Sequence, residues 1–190
     1  ICDSVDREVQ QSLRDSAAAA SAARRERIAV AAGGAGETVT ELLERAKALN
    51  SERVVLVAPG GTDEEGKAVS GLSLAAAVAG AIAGTTDPAL PLGGAVLSGL
   101  YGLETTYGDN DLDLLIRGGV TPAERTGGVT SVVRGVTTRT TTDGTADTTW
   151  RELSTILVVD DVIPTVCQVE FSFSAAQGLN QIWLTAHITV

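Results

Sequence analysis

Four groups of residues in this 190-residue chain have types and spacings that chemistry uses. The first is Gly33-Gly34-Ala35-Gly36, a glycine turn between an apolar run and a helix start. At that place in a dinucleotide-binding fold, backbone N–H groups hold phosphate. The fingerprint needs a third glycine, and Val39 stands at its position. The next apolar run ends in Ala58-Pro59, with no acid for a ribose hydroxyl, and no Gly-Lys-Ser/Thr step makes a P-loop. The second group is Asp109, Asp111 and Asp113, with the one-three-five spacing of a calcium loop. Leu114 and Val120 occupy the positions of that loop's glycine and bidentate glutamate, so a helix start with a solvated acidic turn fits better. The third is Asp160-Asp161, adjacent carboxylates which on a strand point to opposite faces. The fourth is His187, the chain's one histidine, mid-strand with no nucleophile near it in sequence.

Other reactive residues add nothing to these. Cys2 and Cys167 lack metal-ligand spacing, and free thiols in a reducing compartment suit them better than a disulfide. No G-x-S-x-G occurs, because Gly71-Leu72-Ser73 runs on into Leu74-Ala75. No catalytic, cofactor or metal site assembles from these residues, and none is assigned. Nucleotide binding through Gly33–Gly36 stands as the enzymatic alternative.

The elements that must carry these residues follow from periodicity. Asp3 to about Ala23 reads as a helix, with Val5, Val9 and Leu13 at i, i+4 spacing and Asp3 or Ser4 as cap. Arg27 to Ala32 is a short buried strand. Thr38-Val39-Thr40-Glu41 is a capping box that opens a helix with Val39, Leu42, Leu43, Ala46 and Leu49 on its apolar face. Glu41, Glu44, Arg45 and Lys47 fall largely on the opposite face, and Asn50 is placed for a left-handed stop. Arg53 to Ala58 is a second apolar strand, so strand, helix and strand make a right-handed βαβ unit and a partly parallel sheet.

Further along, Gly61–Val69 is an exposed loop and Leu72–Ala83 a buried helix of small residues. That helix is shorter than the roughly twenty apolar residues of a membrane span. Thr85–Gly94 is a loop, Ala95–Tyr107 is of uncertain type, and Asp109–Arg117 is a short helix. Beyond Val120 the chain is rich in Thr and Val, with a turn signal at Asp143-Gly144. Two long strands, about Val129–Thr141 and Thr148–Val159, are expected to form a ribbon, with closing strands at Val169–Ser174 and Ile182–Val190. The fold class is therefore α/β: a partly parallel sheet on a βαβ unit with flanking helices, then a long β-hairpin and C-terminal strands.

Composition narrows the partners. Hydrophobic residues are 44% and charged residues 20%, ordinary for a globular chain; aromatics are 3%, so the core must be Ala, Val, Leu and Ile. A net charge of −10 argues against nucleic acid, which needs clustered Lys and Arg. Arg24, Arg25 and Arg27 are interrupted by Glu26 and read as a solvated helix end. No signal peptide is recognisable. The chain starts at Ile1 and holds no Met, so a trimmed or partial chain is expected.

Five stretches then resemble, in order, the tail sheath proteins of contractile-tailed bacteriophages. They are Glu41–Gly60, Leu115–Glu124, Gly127–Thr138, Trp150–Ile163 and Asn180–Val190. Arg134 followed by Gly135-Val136-Thr137-Thr138, then a long strand ending in the Asp160-Asp161 pair, then a closing strand opening Asn-x-Ile form the pattern. Sheath proteins are similar over a larger span, with further N-terminal domains, an arm, and more chain before the closing strands. The resemblance implies residues 1–166 as the sheath core, with a β-ribbon at about 127–160, and residues 167–190 as closing strands of a C-terminal domain. It implies a structural, non-enzymatic subunit without cofactor, assembled in the bacterial host cytoplasm into a virion tail. The implied partners are copies of itself in hexameric rings, the tail tube protein, and baseplate and terminator proteins, with no membrane insertion. A related bacterial injection device is physically similar. Terminal strands link neighbours in the family, so Ile182, Trp183, Leu184, Ala186, Ile188 and Val190 are the expected intersubunit contacts.

Overall fold

A computed structural model describes residues 1–166. Helix α1 (Arg7–Ala22) starts at Asp6, whose carboxylate accepts from the Glu8 N–H at 2.8 Å. Asp6 therefore takes the capping role expected of Asp3 or Ser4; the Ser4 hydroxyl instead accepts from the Asp6 N–H. Strand β1 (Ala29–Ala32) leads through the glycine turn into α2 (Val39–Leu49). Thr38 and Glu41 form the capping box, and Asn50 ends the helix with φ of 35°. Strand β2 (Val54–Ala58) pairs parallel with β1, completing the expected strand–helix–strand unit.

The chain then makes β3 (Gly61–Thr62) and β4 (Ala68–Val69), a short hairpin in what reads as an open loop. Helix α3 (Leu72–Gly84) follows, then β5 (Val96–Leu97), β6 (Gly102–Leu103) and α4 (Asp109–Arg117). Strand β6 joins β3 and β4 in a three-stranded sheet. Strand β7 (Val120–Thr126) is parallel to β2, and β8 (Val129–Val132) turns back antiparallel to both β7 and β5. The main sheet has the order β1-β2-β7-β8-β5.

The expected ribbon forms only at its tip. Asp143 and Gly144 turn with φ of 50° and 78°, as a two-residue hairpin turn requires. They join the two-residue strands β9 (Thr141–Thr142) and β10 (Thr145–Ala146). The strand expected over Thr148–Val159 is replaced by helix α5 (Leu153–Val166). The β-branched run there suggested a strand, but Leu153, Ile156, Leu157 and Asp160 repeat at helical spacing. Leu153 and Ile156 are buried, Leu157 packs against the core, and Asp160 is ion-paired with Arg53 at 2.5 Å. Packing on the sheet outweighs local propensity. Asp160 and Asp161 thus lie on a helix rather than a strand.

Alternation along the strands divides the core into two layers. Ala29, Ala31, Val54, Leu56, Ala58 and Val120 face α1, α2 and α4. Val30, Ala32, Val55, Val57, Ala123 and Val132 face α3 and α5. Helix α3 is buried along one face only, through Leu74, Ala75 and Val78; Ser73, Ala76, Gly80 and Ala83 are exposed, so it is not the fully buried helix expected.

Candidate functional site

The position where this fold class binds phosphate is the ends of β1 and β2, above the start of α2. Beside it lies a cleft of about 400 Å³ lined by Gly36, Glu37, Thr38, Glu104, Tyr107 and Asp111 among others. Its backbone donors are taken by the chain's own acids. The Gly36 N–H donates to Glu104 Oε2 at 3.0 Å, and the Gly60 N–H donates to Glu104 Oε1 at 3.1 Å. The Thr38 N–H donates to Glu41 Oε2 at 2.8 Å, and the Glu41 N–H to Thr38 Oγ1. The Thr38 N–H first, then the Thr38 hydroxyl, which donates to Glu41 Oε2 at 2.8 Å, hold the Glu41 carboxyl below its ordinary range. Burial, then the charges of Glu104, Asp111 and Glu37, push the Tyr107 hydroxyl well above its ordinary value. A cleft ringed by carboxylates, with its amides engaged, repels a polyphosphate.

Below the turn sits a buried polar network. Arg45, expected on the outer face of α2, is 5% exposed. Its Nε donates to Glu37 Oε2 at 3.1 Å, its Nη2 pairs with Glu37 Oε1, and its Nη1 donates to the Val5 carbonyl at 2.8 Å and to Gln10 Oε1 at 3.0 Å. Gln10 in turn donates to the Ala32 carbonyl at 2.8 Å and the Ser4 carbonyl at 3.1 Å. The N-terminal segment, α1, α2 and the end of β1 are thereby fastened together by directional bonds. Residues 1–2 continue this contact along the outer edge of β1, where the Cys2 N–H donates to the Val30 carbonyl at 2.8 Å. Cys2 itself is buried, with its thiol on the Ser4 carbonyl.

The Gly135-Val136-Thr137-Thr138 step is structural. Thr138 Oγ1 donates to the Ser51 carbonyl and accepts from the Ser51 N–H, both at 3.0 Å, while its own N–H donates to the Val54 carbonyl. Thr137 Oγ1 donates to the Trp150 carbonyl at 2.7 Å, and Thr121 Oγ1 bonds both the N–H and C=O of Val136 at 2.9 Å. This segment clasps the start of β2 to the start of β7 and to the approach to α5. Nearby, Arg139 pairs with Glu52 at 2.9 Å and Arg134 with Glu152 at 2.6 Å.

Asp109 and Asp111 occupy the first turn of α4, and Asp113 pairs with Arg117 one turn on, in place of a cation loop. Among the described residues no group of three His, Cys, Asp or Glu is placed to hold a metal ion, and no helix is long and apolar enough to cross a membrane. His187, Cys167 and the expected contacts Ile182, Trp183, Leu184, Ala186, Ile188 and Val190 lie outside the described residues. Glu104 and the Arg45–Gln10 pairing were missed, because their partners are 22 to 68 residues distant. A flanking position beside the apolar stripe of α2 was the one available signal for Arg45.

Residues 1–138 match the family model of the phage tail sheath protein central domain. The chain belongs to the phage tail sheath family. The structure is also similar to the sheath tail protein of Desulfitobacterium hafniense, with a TM-score of 0.68 and 15% identity, over 90% of this chain and 39% of that one. A chain of the anti-feeding prophage baseplate is similar at TM-score 0.58 and 16% identity, over 88% of this chain and 44% of that one. At these identities the likeness shows a shared fold, and this sheath-family chain spans less than half the length of either structure. A search of curated protein sequences finds no match. The Gly135–Thr138 step, one part of the sequence resemblance, lies within the matched span and clasps segments of this chain together there.

Proposed function

We propose that this sheath-family chain is the rigid core of a contractile tail sheath subunit. Copies assemble as hexameric rings around a tail tube, meet baseplate and terminator proteins at the two ends, and drive the tube through a host envelope on contraction. The work comes from a difference between two packings of subunits, so neither cofactor nor bond cleavage is involved. The family match over residues 1–138 carries this reading. The Arg45 network and the Thr138 clasp support it, because both fasten distant segments into one body suited to moving as a unit. The assembly is built in the host cytoplasm and resides in the virion tail; an injection device of the same design is the near variant.

In the same reading, residues 1–166 are the core and residues 167–190 the closing strands of a C-terminal domain. Ile182, Trp183, Leu184, Ala186, Ile188 and Val190 then contact a neighbouring subunit through an added strand. Proline at Thr185 removes a ladder donor and is expected to abolish assembly; tubes unaffected by Thr185→Pro would remove this strand from the linkage. The nucleotide-enzyme alternative is disfavoured by Glu104 on the Gly36 and Gly60 amides. Negative-stain microscopy of the full-length protein decides between them. Long tubes are expected; a protein that stays monomeric and is stabilised against heat by nucleotides would overturn the proposal.

A further inference from the structure

The Gly36 and Gly60 amides belong to turns that follow two neighbouring parallel strands, β1 and β2. They converge on one carboxyl group, each taking a different oxygen, at 3.0 and 3.1 Å. That group belongs to Glu104, 68 and 44 residues away in the chain, so local turn geometry does not create the arrangement. The space is kept free for it: a Cβ added at Gly60 would lie 2.6 Å from Glu104 Cδ and 2.6 Å from the Val69 carbonyl oxygen. The Glu104 N–H also donates to the Gly60 carbonyl at 3.0 Å, so the residue is bonded to the core through backbone and side chain together.

We propose that the Gly36 and Gly60 N–H groups form a two-amide carboxylate site, that Glu104 is its built-in ligand, and that without this side chain the site takes a small monocarboxylate such as acetate. Paired backbone N–H groups in a concavity favour an anion. The local charge selects which anion. Glu37 is neutralised by Arg45, but Asp111 lines the same cleft, so a singly charged carboxylate is favoured over a phosphate dianion. In the wild type the occupied site joins the β4-β3-β6 sheet, which Glu104 directly follows, to the ends of β1 and β2.

The test is thermal unfolding of Glu104→Ala in acetate, chloride and phosphate at matched ionic strength. Loss of two charge-assisted hydrogen bonds is expected to lower Tm by about 5 °C in chloride. Acetate should restore much of that loss by binding the folded state, with no effect on the wild type. An unchanged Tm, no response to acetate, or equal recovery in phosphate would overturn the assignment. A second measurement does not rest on Tm. At one fixed pH the Gly36 and Gly60 amide proton resonances should both move upfield in Glu104→Gln, because a neutral carboxamide is a weaker acceptor than a carboxylate. If neither resonance moves, or only one does, the proposal is equally contradicted.

Discussion

The two faces of the main sheet are built by different means. Under α1, α2 and α4 the apolar layer encloses Arg45, the buried charged side chain among the described residues, which binds Glu37, Gln10 and the Val5 carbonyl. Under α3 and α5 the layer is Leu74, Ala75, Val78 and Leu153 against Val30, Val55 and Val57, and the Arg53–Asp160 ion pair lies at the margin of that layer rather than within it. Apolar packing tolerates exchanges of similar volume, whereas a buried ion pair tolerates only its own geometry. The first face therefore fixes how the N-terminal segment and α1 sit on the sheet, and the second supplies burial with less orientational demand.

The largest effects expected from breaking this contrast are at Arg45 and Leu74. Arg45→Met leaves the mostly buried Glu37 without its partner and strips Gln10 and the Val5 carbonyl of a donor, so urea unfolding should show a loss of about 3 kcal/mol. Arg45→Lys should recover little of it, because an ammonium cannot reproduce the forked contact. On the other face Leu74→Ala should cost about 3 kcal/mol through the cavity left, while Leu74→Met should cost less than about 1.5 kcal/mol in the same assay. If Arg45→Lys is as mild as Leu74→Met, the two faces do not differ as described. Smaller again is Thr38→Ala, which removes the α2 cap and should lower stability by about 1 kcal/mol.

The smallest effect lies outside both faces, at the β9–β10 hairpin. Hydrogen bonds from the Thr142 hydroxyl first, then from the Thr149 N–H and hydroxyl, hold Asp147 down at about 2 against an ordinary 3.8. A depressed carboxyl stabilises the folded form fully above its unfolded value, and that contribution is lost as pH falls through the folded one. The protection of the Thr145 and residue-147 amides, relative to their intrinsic exchange rates, should therefore fall between pH 3.8 and about 2, ahead of the sheet core, and this loss should vanish in Asp147→Asn.

The same contrast explains what could be read from the chain. Elements set by local signals were legible: the Thr38–Glu41 capping box, the Asn50 stop, the β1–α2–β2 unit, α4 with its acidic first turn, and the Asp143-Gly144 turn. Strand β7 was not, because Pro122 argues against a central strand, yet β7 lies between β2 and β8 and the Pro122 carbonyl accepts from the Val133 N–H. Helix α5 was hidden by its β-branched residues, whose fate is decided by contact with the second face. Of the candidate site, the glycine turn was placed correctly, but its occupant was invisible. Glu104 stands in a stretch with no periodic pattern, and only the folding of β6 beside β3 brings it over the turn.

As proposed, the matched central domain moves as one body during contraction. Cryo-electron microscopy of the assembled full-length sheath, before and after contraction, tests it most directly. Residues 1–138 are expected to superpose within about 1 Å in the two states, with the Arg45–Glu37 pair and the Glu104 bridge intact in both. A rearrangement within the β1–α2–β2 unit, or α1 parted from α2 in either state, would contradict it.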